Sequence, residues 1–411
     1  MSGPSPSRHA PFTAALDTVR RENRYRVFQT LARDARQPPR ARRGDPTDPS
    51  IVVWCSNDTL GLSAHPEVRA AATAALDQDG LGAGGTRNIS GTSHHHAALE
   101  SRLATLHATQ RALLFTSAYV ANDTTLATLG RIMPDAVILS DARNHASMIE
   151  GIRRSGLRRI IFPHNDTTAL RAHLADLPRE TPKIIACESL YSMDGDRAPL
   201  EQITEIADAF GALIFLDEVH AVGLYGPDGA GLAARAGVAD RIDILNGTLG
   251  KAYGAQGGYI AGSDVVCDAI RSLAPGFIFT TAPAPPVIAG ARAAIDIAAR
   301  ESALPHGLQA RHRPRVAHLR RALEALGVPL MDTDTHILPI MVGDPGKCRW
   351  ISEALLDAGH YVQPINYPTV PRGTERLRIT PTPHHDGAMT ESFLAALDSL
   401  WSRCALARAA A

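Results

Sequence analysis

From residue 51 to residue 261, short apolar runs alternate with stretches of helical period, and this pattern restricts the fold more than any other feature of the chain. The runs occupy 51–54, 112–115, 136–139, 160–162, 184–187, 213–216, 242–245 and 259–261. Runs this short, apolar at successive positions, suit strands buried on both faces. Between them, 67–76, 97–106, 169–177 and 200–210 carry helical spacing. Strands alternating with helices require crossover connections, so an α/β fold follows, with a mostly parallel sheet covered by helices.

After about residue 295 the rhythm changes. A basic helix over 316–326, apolar runs at 337–342, 361–362 and 377–379, and a helix over 389–400 predict a smaller α+β domain. The expected division is an N-terminal segment 1–50, a large domain 51–295 and a small domain 296–411. Within the first segment, 1–12 reads as disordered and 13–30 as an amphipathic helix. A connector with Pro38, Pro39 and Pro46 follows. Arg33, Arg36, Arg40, Arg42 and Arg43 read as a solvated basic arm.

Charge excludes some functions. Forty-two basic and 42 acidic residues cancel, so no global field draws the chain to nucleic acid or an anionic membrane. Its five cysteines (Cys55, Cys187, Cys267, Cys348, Cys404) are scattered and form no C-x-x-C pair. That argues for a reducing cytoplasm and against a disulfide or zinc framework. Neither a signal-peptide core nor an apolar run of about 18 residues is present, so no membrane span is expected.

Two residues at the ends of apolar runs suggest chemistry. Asp217 follows Leu213-Ile214-Phe215-Leu216, and Lys251 closes Gly247-Thr248-Leu249-Gly250-Lys251 after the run at 242–245. In open parallel sheets, ligands bind at the carboxyl ends of the strands. An aspartate there can keep a pyridine nitrogen protonated, and a lysine can form a Schiff base with an aldehyde. These are the demands of pyridoxal 5'-phosphate (PLP). An unpaired carboxylate after four apolar residues would be costly, and a pyridinium removes that cost. The plainer alternatives are a helix cap for Asp217 and a surface turn for Lys251.

Three further groups complete the set. His220, three residues after Asp217, can turn inward toward a phenolic oxygen, or be a satisfied core histidine. His145, in the polar segment after the run at 136–139, is placed to stack on a ring. The stretch Phe115-Thr116-Ser117-Ala118-Tyr119-Val120-Ala121-Asn122 runs from strand into helix, where free N–H groups face an anion. Thr248 can add a hydroxyl. His94-His95-His96 reads as a loop or helix start, because adjacent histidines do not easily converge on one ion, and no metal is expected.

At these residues the sequence resembles the 5-aminolevulinate synthases, α-oxoamine synthases of PLP fold type I. The likeness extends from about Leu16 to Arg408 through separated motifs in order. They include Asn23-Arg24-Tyr25-Arg26-Val27-Phe28, Gly84-Gly85-Thr86-Arg87-Asn88-Ile89-Ser90-Gly91, Asn144-His145-Ala146-Ser147-Met148, Glu188-Ser189-Leu190-Tyr191-Ser192-Met193-Asp194-Gly195-Asp196, Asp217-Glu218-Val219-His220 and Gly247-Thr248-Leu249-Gly250-Lys251. Gln363-Pro364-Ile365-Asn366-Tyr367-Pro368-Thr369-Val370-Pro371 with Glu375-Arg376-Leu377-Arg378 is closer to this family than to its biotin-pathway relatives.

The resemblance implies a seven-stranded, mostly parallel sheet and a homodimer with active sites at the interface. It implies condensation of glycine with succinyl-CoA, giving 5-aminolevulinate, CoA and CO2 for tetrapyrrole and haem synthesis or a specialised product. Lys251, His145 and Asp217 would be catalytic. Ser117, Ala118, Tyr119, Ser189, His220, Thr248 and Thr281 would join them in holding the cofactor, Thr281 reaching the neighbouring subunit's phosphate. Arg378 would pair with glycine's carboxylate, supported by Asn57. Arg26 and Thr86 would take the succinyl carboxylate, with Asn88, Ile89, Ser140 and Thr369 also on the substrate side. Thr59, His94-His95, Ala255-Gln256 and the stretch 279–285 depart from the family pattern, and all are compatible with a divergent branch. The alternatives are another α-oxoamine synthase, disfavoured by Arg26 with Thr86, and a silent binding protein, disfavoured by the presence of Lys251 and Asp217.

Overall fold

A computed structural model describes residues 6–404 and Leu406. In chain order its strands are β1 (Leu31–Arg33), β2 (Arg40–Arg43), β3 (Ser50–Val53), β4 (Arg111–Phe115), β5 (Val137–Asp141), β6 (Arg158–Phe162), β7 (Lys183–Glu188), β8 (Ala212–Asp217), β9 (Ile244–Thr248), β10 (Gly258–Gly262), β11 (Leu338–Met341), β12 (His360–Tyr361), β13 (Pro364–Ile365) and β14 (Arg376–Ile379). The chain divides into two compact units. One holds the described residues through Ser56, Met193–Gly195 and those from Arg313 on; the other holds Asn57–Ser192 and Asp196–His312. The sequence boundaries after 50 and 295 fall instead within β3 and within the helix Pro285–Ser302.

The second unit is built on a seven-stranded sheet in the order β4-β10-β9-β8-β7-β5-β6. Strands β5 to β9 are parallel to their neighbours, and only β10 runs against β9 and β4. The α/β fold read from the apolar runs is therefore present. Its core joins Phe115, Ile138, Ile184, Phe215, Ile244 and Ile260 of the sheet to Leu126, Leu129, Met148 and Ile152 of the covering helices. Helices Ala118–Ile132 and Ala146–Ser155 pack closely because Gly151 has no side chain: a Cβ there would lie 2.8 Å from the Asp123 carbonyl. That closeness brings Asn122 of one helix to Ser147 of the other, at 3.0 Å.

The first unit contains two small sheets, β1-β2-β3-β12 and β11-β14-β13. Trp54 anchors its core, with ring centroids 4.1 Å from His385 and 4.6 Å from Phe393. Its Nε1 donates to His360 Nδ1 at 3.2 Å, so the buried indole N–H is satisfied. Arg376 and Asp194 form a buried ion pair at 2.9 Å.

Several sequence expectations are corrected in this unit. The run at 51–54 is a strand, but it joins the small sheet, because β3 pairs in parallel with β12 some 300 residues later. The N-terminal helix spans Pro6–Arg21 rather than 13–30. Its start uses Pro6, whose missing N–H costs nothing in a first turn. It ends where Asn23 takes a left-handed conformation (φ 53°) and returns its N–H to the Arg20 carbonyl. Residues 6–12, expected to be disordered, are thus helical, and 1–5 lie outside the described residues. The arginine-rich connector is a β-hairpin, in which Arg42 Nη1 donates to the Asp48 carbonyl at 2.6 Å and Arg43 pairs with Asp357 at 3.0 Å.

Candidate active site

In the second unit, strand ends and one helix N-terminus enclose a cavity of about 290 Å³. Asp217, the last residue of β8, forms part of its wall and is 3% exposed. Its Oδ2 accepts a hydrogen bond from Asn122 Nδ2 at 2.6 Å, and its Oδ1 accepts from the Val219 N–H at 2.8 Å. Two donors hold the carboxylate in one orientation. Lys251 lies three residues past β9 and lines the same cavity, with Nζ 2.6 Å from His220 Nε2. His220 therefore does turn inward from the loop after Asp217.

His145 caps the helix Ala146–Ser155. Its Nδ1 accepts from the Ser147 N–H at 3.2 Å and lies 2.8 Å from Ser147 Oγ, which leaves the ring proton on Nε2. Burial holds His145 below the usual imidazole range; Lys251 acts in the same direction and Asp217 opposes. The ring is neutral at pH 7 and stands edge-on to Tyr119, with centroids 6.3 Å apart.

The remaining wall is an anion cradle. Ser117 caps the 15-residue helix Ala118–Ile132, its Oγ accepting from the Val120 N–H at 3.1 Å. Ser117, Ala118 and Tyr119 all line the cavity. Gly258 lets β10 lie against this turn, since a Cβ there would overlap the Ala118 nitrogen. Thr248 Oγ1 accepts from the Gly250 N–H at 3.1 Å and donates to the Gly257 carbonyl at 3.2 Å. A cavity with a fixed carboxylate, a lysine, a neutral histidine and free helix N–H groups fits PLP.

Among the lining residues given no role of their own from the sequence are Glu188 and Asn122. Glu188 ends β7 directly opposite Asp217 in the strand register. Burial, and then the Asp217 charge, push its carboxyl well above the usual carboxylate range. It carries the signal that marked Asp217, a carboxylate at the end of an apolar run. Asn122 carries no such signal; only the helix register aims it at Asp217.

Other candidates lie elsewhere. Ser189 is fully buried, donates to Glu218 Oε2 at 2.6 Å and does not line the cavity. Ser140 is buried in β5 and accepts from Asn144 Nδ2 at 2.9 Å. Thr86 and Thr281 meet across an antiparallel bridge, with Asn88 and Ile89 exposed on the adjoining turn Arg87–Gly91. Asn57 is exposed, and its carbonyl accepts from the Thr59 N–H. In the first unit, Arg26 Nη2 donates to Thr369 Oγ1 at 2.9 Å, and both line a cavity of about 410 Å³. Arg378, on β14, is 8% exposed, and burial lowers its pKa. His94 opens the helix His94–Leu106, as expected of a helix start, with Ser93 and His96 forming a reciprocal cap. Contrary to expectation, successive rings in that first turn do converge: ligand atoms of Asp79, His94 and His95 lie within 4.8 Å of one another.

Residues 49–397 match the family model for aminotransferase class I and II. The chain is 52% identical over 403 residues to 5-aminolevulinate synthase 1 of Cereibacter sphaeroides, covering 96% of this chain and 97% of that one. It is 54% identical to the 5-aminolevulinate synthase of Rhizobium meliloti, covering 97% and 98%. Among solved structures, Sphingomonas wittichii serine palmitoyltransferase superposes with a TM-score of 0.88 at 27% identity, covering 98% and 99% of the two chains. The lysine-to-alanine variant of serine palmitoyltransferase from S. paucimobilis with a bound PLP–myriocin aldimine gives 0.86, also at 27% identity. The chain belongs to the class I and II aminotransferase family and, within it, to the 5-aminolevulinate synthases.

Proposed function

We propose that this protein condenses glycine with succinyl-CoA, releasing 5-aminolevulinate, CoA and CO2. The observation that carries the reading is Asp217 and Lys251 facing one cavity beside a helix N-terminus, in a chain more than half identical to synthases of that name. Bound PLP supplies an electron sink for the carbanion at glycine's α-carbon, and again when CO2 leaves.

The chain's residues supply the rest. Lys251 Nζ would hold the cofactor through its aldehyde carbon and, once freed, would be the base for glycine's α-proton. His220, whose Nε2 lies 2.6 Å from Lys251 Nζ, would hold the phenolic oxygen. Asp217, fixed by Asn122 and Val219, keeps the pyridine nitrogen protonated. Burial and the Asp217 charge together hold the Glu188 carboxyl well above the usual carboxylate range. His145 covers the ring face as a neutral imidazole. The Ser117, Ala118 and Tyr119 segment with Thr248 cradles the phosphate, and the partner subunit's Thr281 completes it in a homodimer. Arg378 takes glycine's carboxylate, supported by Asn57. Arg26 and Thr86 take the succinyl carboxylate; Thr369, Asn88, Ile89 and Ser140 complete the acyl-CoA side. Closure near Thr369 excludes water from the carbanion.

No helix among the described residues is long and apolar enough to cross a membrane, and we place the enzyme in the cytoplasm. The test is Lys251→Ala: turnover should vanish while circular dichroism and Tm stay native. Retained turnover in the folded variant would refute the assignment of Lys251.

A further inference from the structure

We propose that His164, held between Asp141 and Asp196, is a positioning residue that fixes the loop delivering His145 to the cavity. The inference rests on the reading of His145 as the ring-covering residue. His164 follows β6 and does not line the cavity, so it acts only through its neighbours. Its Nδ1 lies 2.8 Å from Asp141 Oδ1 and its Nε2 lies 2.7 Å from Asp196 Oδ2. Only an imidazolium donates from both ring nitrogens.

Each aspartate secures a different loop. Asp141, the last residue of β5, also accepts from the Arg143 and Asn165 N–H groups, both at 2.8 Å. Arg143 and Asn144 lead directly into His145, and Asn144 Nδ2 donates to the Ala186 carbonyl at 2.8 Å. On the far side of His145, Ser147 meets Asn122, which holds Asp217. Asp196 closes the loop after β7: its carbonyl accepts from the Tyr191 N–H at 3.0 Å, and Ala198 N–H returns to the Ser189 carbonyl at 3.0 Å. That loop begins one residue past Glu188, which lines the cavity. The imidazolium thus joins the two loops that flank the site. The sequence does not show that the three meet, because His164 is 23 residues from Asp141 and 32 from Asp196.

The titratable groups facing His164 are Asp141 from β5, and Asp196 and Tyr191 from the loop after β7; Tyr191 packs edge-on at 4.4 Å. Burial opposes a charge on His164, but the bonds and charges of the two aspartates outweigh it and raise its pKa to about 9. The pair of bonds is therefore complete through neutral pH. As pH rises through about 9, the ring keeps a single N–H and one aspartate loses its donor.

The test compares wild-type holoenzyme with His164→Gln, Asp196→Asn and His145→Ala, reading Tm, the visible circular dichroism of the bound cofactor and the pH profile of kcat. For His164→Gln we expect kcat to fall about tenfold, as for a misplaced catalytic group. The glycine KM should stay within about twofold, and the visible dichroic band should weaken at full PLP occupancy. For Asp196→Asn, the alkaline limb of kcat should move from about pH 9 toward neutrality, because His164 loses one of the two charges that hold its proton. A lowered Tm with wild-type kcat and dichroism in His164→Gln would make the role merely structural and overturn the proposal. So would an unmoved alkaline limb in Asp196→Asn, which decides the matter alone if His164→Gln fails to fold. Silence in His145→Ala would refute the reading of His145 and the proposal with it. A disturbed His145→Ala beside two silent positioning variants would overturn the proposal only.

Discussion

Replacing Gly258 by alanine should weaken PLP binding without touching a polar group. Gly258 opens β10, opposite Phe115 of β4 and Thr248 of β9. A Cβ there would overlap the nitrogen and Cα of Ala118 and the carbonyl carbon of Ser117, which are backbone atoms and cannot rotate away. The first turn of the helix Ala118–Ile132 must therefore retreat by about an ångström, at an overpacking cost of about 1–3 kcal/mol. A retreat of that size breaks an N–H···O contact to a fixed phosphate. One charge-assisted bond is worth about 1.5–3 kcal/mol, or roughly 10- to 150-fold in affinity. Titration of apo-enzyme with PLP, followed by absorbance and tryptophan fluorescence, should show Kd rising by about 10- to 100-fold. Tm should fall modestly in the apo form and more in the holo form, since lost ligand affinity adds to strain. A wild-type Kd in a variant whose apo Tm has fallen would show that the strain is real but the phosphate does not lie at this turn.

Two more perturbations address separate parts of the account. Arg26→Leu removes the guanidinium bonded to Thr369 and should raise the KM for succinyl-CoA by about 10- to 100-fold, with a smaller change in kcat. An unchanged KM would remove Arg26 from the acyl site. His107 is buried beside Tyr259 at 2.8 Å, and burial lowers its pKa to about 4. The folded value lies below the unfolded value of 6.5, so its contribution is complete above pH 6.5 and is lost as pH falls toward 4. Between pH 7 and 4.5 this amounts to about 2–3 kcal/mol. His107→Gln should flatten the acid limb of stability measured by urea denaturation; a slope equal to wild type would contradict the assignment.

The sequence revealed the sheet where burial is two-sided and the strand is apolar throughout, as in β7 and β8. It misassigned 51–54, because the same apolar signature suits a strand whose partner, β12, is two residues long and comes some 300 residues later. The hairpin of β1 and β2 was hidden by its arginines, which hydrogen-bond through long side chains while Ala41 alone is buried in β2. Asp217 and Lys251 were readable because a charged residue ending an apolar run must have a partner. Glu188 satisfied the same rule and was overlooked, since the sequence does not place it beside Asp217. The bond from the Ser189 hydroxyl to Glu218 was not readable either, because 29 residues separate the two.

The most direct measurement is product analysis by mass spectrometry of the purified protein with PLP, glycine and succinyl-CoA. The expected products are 5-aminolevulinate and free CoA in equal amounts, with both absent for Lys251→Ala. Glycine perturbing the cofactor spectrum without formation of 5-aminolevulinate would contradict the proposed function, and the roles given to Arg26 and Thr86 would fall with the acyl donor.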